Sequence, residues 1–249
     1  MRHALALLGL MLLVGVTSAA QFHYAFYYNT LGERDLEISL ISTVPDMSRY
    51  AIAVHDAYGA EIWSYSGELG PGASDVVSLR SRVAGIPYAW GVVTVESSGR
   101  FLIGLEYSVG GVLVSTDTVS NEVPVLDPTE PFWLGAYYTQ VRDASTTYVL
   151  LNPWNESVTC TVTVFNSLGT PVDERQFTLA PFEAEDVGLT PILGHGSLLW
   201  GLLNVRMQGR SVILGLEYTG RGAGGLEVEN VTQNFAYTLG TGESAFTRM

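Results

Sequence analysis

The stretch WGVVTVESSGRFLIGLEY, which begins at Trp90, is written again as WGLLNVRMQGRSVILGLEY from Trp200. The match extends far beyond these strings. Tyr27-Tyr28 aligns with Tyr137-Tyr138, Gly59 with Gly169, Pro71 with Pro181 and Trp90 with Trp200, each pair 110 positions apart. A constant offset over most of a chain is the mark of tandem duplication, and it requires two similar folding units. The acidic, proline-rich run NEVPVLDPTEP supplies the joint. The expected organisation is a leader over residues 1–20, a first domain over 21–125, a linker over 126–131, a second domain over 132–237 and a tail over 238–249. Each copy is expected to hold its own core and to fold alone. The offset slips once: GLEY stands at Gly104 and again at Gly215, so the second copy has one extra residue within RSVILG. An odd insertion flips every later side chain unless a bulge absorbs it, so a bulge is expected between Arg210 and Leu214.

The residues within each unit alternate with period two. DLEISLIS, YAIAVHDAY, GVVTVES, TCTVTVFN and WGLLNVRM are each bounded by Gly, Pro, Asn, Asp or Ser. No amphipathic helix is read after the leader. Short strands at near-regular spacing indicate a sandwich or barrel of antiparallel sheets. The fold class is therefore all-β, as two tandem antiparallel β-sandwich domains.

The pattern VLLNPWNESVTCTVTVFNSLGTPV, then a Pro-bearing turn, a DVGL strand and WGLLNV…GR…LGLEY, resembles the immunoglobulin-like sandwich repeats of uncharacterised bacterial secreted proteins. It is more weakly similar to the small sandwich domain of the sensory rhodopsin transducer group. The first resemblance implies structural or adhesive parts of exported proteins. The second implies binding to sugars or partner proteins. The first copy departs from the pattern, with Val44-Pro45 in place of Asn152-Pro153.

Arg2 and His3 precede an apolar run ending in Thr17-Ser18-Ala19-Ala20, which reads as a secretory signal cleaved after Ala20. The run is shorter than the roughly 20 residues a membrane span needs. Export to the periplasm, cell surface or medium is expected, with no span in the mature protein. The formal charge is −13, and all 12 basic residues are Arg. Without a basic stripe, nucleic acid is not an expected partner.

The residues that carry chemistry are sparse. Cys160 has no second cysteine to pair with and shares a strand face with Val158, Val162 and Val164, so it reads as a small buried hydrophobe. After the leader, His23, His55 and His195 stand apart from one another and from metal-ligand spacing, so neither a metal nor a cofactor is expected. GHGSLLWG, with His195 beside Ser197, reads as a polar turn, and GRGAGG at 220–225 as a hairpin without a phosphate-binding helix. Glu106 and Glu217 recur at one place in the repeat. A glycosidase needs two carboxyl groups about 5–10 Å apart, and the repeat supplies one per domain. The chain is therefore expected not to be an enzyme, with a glycoside hydrolase a distant third reading.

What recurs besides the core is a set on the other face of the strands. If Val93 and Val95 point inward, Trp90, Val92 and Thr94 point outward, as do Trp200, Leu202 and Asn204 in the second copy. Tyr27, Trp90 and Glu106, with Tyr137, Trp200 and Glu217, form the candidate binding set for a protein partner or a surface glycan. The leading expectation is a non-catalytic exported structural or protein-interaction module, and the alternative is a carbohydrate-binding protein.

Overall fold

The computed structural model describes residues 22–86, 89–141, 144–194, 198–220 and 226–230. The expected leader, the tail beyond 230, His195 with Ser197, and the 221–225 part of the glycine-rich hairpin lie outside the described residues. The described chain is all-β, in four four-stranded sheets. Every strand pairing is antiparallel. A single helical turn, α1 (Thr190–Leu193), interrupts the strands and starts at a proline-bearing N-terminus.

In the first half, one sheet runs β1 (Phe22–Asn29), β6 (Trp90–Ser97), β3 (Ser48–Asp56), β4 (Glu61–Leu69). The other runs β5 (Ser74–Ser78), β2 (Arg34–Ser42), β7 (Phe101–Val109), β8 (Val112–Val119). In the second half, one sheet runs β9 (Phe132–Val141), β14 (Leu198–Met207), β11 (Val158–Asn166), β12 (Pro171–Leu179). Its companion runs β13 (Ala184–Gly188), β10 (Ala144–Leu151), β15 (Ile213–Gly220), β16 (Leu226–Asn230). Adding eight to each label of the first pair of sheets reproduces the second pair. No helix among the described residues is long and apolar enough to cross a membrane.

Alternation places the cores. Along β7, Phe101, Ile103, Leu105 and Tyr107 are buried while Leu102 and Glu106 face water. These inner residues meet Tyr24, Phe26, Ile52, Val54, Val93 and Val95 of the facing sheet in one cluster. Leu134, Cys160, Val162, Val205, Leu214 and Leu216 do the same in the second half. Cys160 is buried, as its Val-lined face predicts.

The repeated Trp-Gly has a backbone cause. β3 carries a bulge at Val54/His55 where it pairs with β4, and β11 carries one at Val164/Phe165. A Cβ on Gly91 would lie 2.4 Å from the His55 carbonyl oxygen, and one on Gly201 would lie 2.0 Å from that of Phe165. No larger residue fits beside either bulge. The hairpins that follow also match: Asp56 Oδ1 accepts from the amides of Tyr58 and Ala60, and Asn166 Oδ1 accepts from those of Leu168 and Thr170.

Two sequence expectations need correction. The extra residue of the second copy is taken up before β15 begins, not as a bulge within its pairing. Arg210 bridges to Val125, and Ile213 opens the regular register opposite Leu151. The cores are also not independent. Val149, Leu151, Ala184 and Ile213 of the second half belong to the first core cluster. The reason is that β10 and β15 carry Val149, Leu151 and Ile213 on their outer face as well as apolar residues on the inner one, so part of the outer face needs cover, and β1 lies against it.

Candidate functional site

The six candidate residues do not form one surface. Two of them meet, 190 positions apart: the Tyr27 hydroxyl donates to Glu217 Oε2 at 2.9 Å. Asn29 Nδ2 donates to that same oxygen at 3.1 Å and to the Tyr27 hydroxyl at 3.0 Å. Arg34 closes the group, with its guanidinium 3.1 Å from Glu217 Oε1. Tyr27 and Asn29 stand at the end of β1 and Arg34 opens β2, while Glu217 comes from β15. The backbone of Tyr27 is held from behind, because the Tyr107 hydroxyl donates to its carbonyl oxygen at 3.0 Å. Burial, and next the Glu217 charge, raise the Tyr27 hydroxyl well above its ordinary value near 10, so it remains a donor.

This node is an interface between the halves, not an open platform. Tyr27 is 2% exposed and Glu217 9%. The expectation that Val92 and Thr94 stand on an open outer face also fails. Both are buried: Val92 is covered by the second half, in one cluster with Val149, Leu151 and Ile213, and Thr94 lies at the bottom of a cleft between the halves. Trp90 is half-buried and packs against the same cluster.

Of the corresponding positions in the second half, Tyr137 and Trp200 face water, and Leu202, expected on the open face, is buried. Tyr137 is 50% exposed and Trp200 43%, with ring centroids 6.3 Å apart at 34°. Glu106 is exposed on the outer face of β7 opposite Glu37. Glu217 lies against the outer face of the opposite sheet of the first half, so the two repeated carboxylates are on opposite sides of that sandwich-like unit.

Beside the buried node the halves leave a cleft of about 670 Å³. Its floor is the rest of the outer face of β3 and β6, where Ala51, Ala53 and Thr94 are too small to fill the gap. Its walls come from the second half. Phe182, in the left-handed region at φ 58°, stacks on His55 at 4.1 Å. Trp154 meets His23 at 5.0 Å and Arg210 at 4.6 Å, and its indole N–H donates to the Ser211 carbonyl oxygen at 2.7 Å. Arg210 is itself paired with Glu156. Burial lowers both His23 and His55 below their ordinary value, which keeps the rings neutral. The indole is thus engaged within the chain. At the cleft's edge the hairpin after β3 docks on the second half: Ala184 N–H donates to the Ala57 carbonyl at 3.0 Å, and a Cβ on Gly59 would strike the Pro181 carbonyl oxygen.

One further aromatic pair was not singled out by the sequence reading. Trp63 and Tyr65 on β4 lie 6.0 Å apart at 11°, with the Arg82 guanidinium 5.9 Å from the Trp63 ring. Their signal is the IWSYS alternation, which puts both rings on one strand face. Arg34 and Asn29 carried no such signal, since their partner is distant in the chain. For the cleft, the signal was alanine at two outward positions of YAIAVHD.

No family model matches the chain, and no curated protein does. Among solved structures, a Parabacteroides distasonis protein described as secreted aligns at 12% identity, covering 78% of each chain, with a TM-score of 0.19. A β-glucuronidase of glycoside hydrolase family 2 aligns at 8% identity over 83% of this chain and 23% of its own, with a TM-score of 0.19. A Bacteroides fragilis protein described as a β-galactosidase aligns at 12% identity over 88% of this chain and 32% of its own, with a TM-score of 0.20. The chain therefore spans about a quarter to a third of those glycosidases. Likenesses this weak carry no argument about this chain.

Proposed function

We propose that the chain is a non-catalytic, exported structural or protein-interaction module built from two duplicated sandwich domains, about 21–125 and 132–237. The observation that carries this reading is the double fate of one surface. The face holding Tyr27, Trp90 and Val92 is covered by protein within the chain, and its counterpart holding Tyr137, Trp200 and Leu202 presents half-exposed rings. A face already used once for protein docking is chemically suited to be used again. The non-catalytic reading is supported by the separation of Glu106 from Glu217 across the first unit.

A photo-crosslinking residue at position 137 tests the proposal in cells that export the chain. Covalent adducts to a protein are expected, and Trp200→Ala should remove them. The carbohydrate reading rests on the near-parallel Trp63–Tyr65 pair, a geometry suited to stacking on a sugar. Binding on a glycan array that is lost in Trp63→Ala, with no protein adduct at position 137, would replace the first reading by the second.

A further inference from the structure

The contact between the halves has two facing sides, each with a counterpart left over, and a third part, β8 against β16, whose strands are each other's counterparts and leave none. On one side stand Tyr27, Trp90 and Val92, on the outer face of β1 and β6. On the other stand Val149, Leu151, Ile213 and Glu217, on the outer face of β10 and β15. Eight strands later the first side recurs as Tyr137, Trp200 and Leu202 on β9 and β14, with Leu202 opposite Tyr137 as Val92 is opposite Tyr27. Eight strands earlier the second side recurs on β2 and β7, where Ile41 pairs with Leu102 and Glu37 with Glu106. That pairing repeats Leu151 with Ile213 and Thr147 with Glu217. The left-over sides are exposed at their rings and at the Ile41–Leu102 pair, with Tyr137 at 50%, Trp200 at 43%, Ile41 at 36% and Leu102 at 37%, while Leu202 is buried beside the rings.

We infer that the chain associates head to tail with further copies of itself, the Tyr137–Trp200 face of one copy docking on the Ile41–Leu102–Glu106 face of the next. The inference rests on the protein-interaction reading and names its partner. The occupant is identified by the interface the chain already contains, which shows that these two kinds of face fit each other. In the new contact the Tyr137 hydroxyl would donate to Glu106 as Tyr27 does to Glu217. Thr139, which occupies the position of Asn29, keeps a hydroxyl donor there. Ala144 occupies the position of Arg34, so the ion pair is not reproduced and the contact between copies is weaker than the one within a copy. Because the two faces differ, the contact is heterologous: it leaves a free face at each end and propagates unless a ring closes.

This also accounts for the repeated set itself. A fold needs the inner face of each copy, but a chain of copies needs Tyr, Trp and Glu at both their positions.

Sedimentation of the purified full chain over a wide concentration range tests the inference. The average mass is expected to rise past that of a dimer. Trp200→Asp and, separately, Leu102→Asp should each raise the concentration for half-association by about tenfold or more. Each variant keeps one intact face, so an equimolar mixture of the two is expected to stop at a one-to-one complex. Tyr137→Asp and Ile41→Asp repeat the test if either variant folds poorly. A chain that stays monomeric throughout overturns the inference. So does a dimer that Trp200→Asp breaks and Leu102→Asp leaves intact, which would be a symmetric pairing of one face. If the pure chain is monomeric yet position 137 crosslinks to a different protein in cells, self-association fails and the interaction reading stands.

Discussion

Glu217→Ala should unlock the two halves, and its cost follows from the three partners it abandons. Hydrogen bonds to a charged acceptor contribute about 1.5–3 kcal/mol each. Tyr27 is 2% exposed and Asn29 6%, so water cannot replace the lost carboxylate at either donor. Arg34 keeps 24% of its side chain exposed and is resolvated in part, which limits its share to about 0.5–1 kcal/mol. The parts sum to about 3.5–7 kcal/mol, and the lower part of that range, about 3.5–5 kcal/mol, is expected because removing one member of a buried ion pair costs about 3–5 kcal/mol. Glu217→Gln keeps the shape and one acceptor oxygen, and should cost about 1–2 kcal/mol. Glu106→Ala is the internal control. It removes the same residue from the same repeat position where it is exposed, so at dilute protein its cost should stay within about 0.5 kcal/mol. Urea unfolding at fixed low concentration measures all three. Adding Tyr27→Phe to Glu217→Gln in a double-mutant cycle isolates the coupling. Equal costs for the alanine variants at positions 217 and 106 would refute the claim that this node holds the halves together.

Four other outcomes are expected. Burial pushes the Cys160 thiol up to about 12, so a thiol reagent at pH 8 should label it only as the chain unfolds, and rapid native labelling would contradict the packing. His55 is held below its ordinary value of 6.5, so the unfolded chain binds its proton first. The stability it contributes is present above about pH 6.5 and is lost as pH falls toward the lowered folded value; His55→Phe should flatten the urea midpoint over that window, and an unchanged slope would remove His55 as the cause. Gly201→Ala drives a methyl group into the Phe165 carbonyl and should cost about 1–3 kcal/mol. Gly104→Ala meets only Ser39 at 3.6 Å and should cost far less, and similar thermal midpoints for the two would count against the bulge argument. A chain starting at Phe132 exposes Val149, Leu151 and Ile213, and should unfold at lower urea and bind a hydrophobic dye; stability equal to that of the intact protein would mean the shared core contributes nothing.

Period-two alternation by itself determined the strands and their inner faces. An inner position must be apolar whatever lies outside the sheet, which is why Phe101, Ile103, Leu105 and Tyr107 were legible, as was the burial of Cys160. Local chain geometry was legible only as repetition: Trp-Gly and the Gly59 and Gly169 turns recur in the sequence, but the bulges beside Gly91 and Gly201 and the Asp56 and Asn166 caps appeared only in the structure. The fate of the outer faces was decided by tertiary structure alone. Glu106 and Glu217 sit in the same LEY string, yet one is in water and the other is buried against Tyr27, Asn29 and Arg34. The same holds for Tyr27 and Tyr137. The sequence records which residues a face carries, but an outer face is buried only if another body is laid on it. Which face the second half covers depends on contacts between residues nearly two hundred positions apart, where no local pattern reaches.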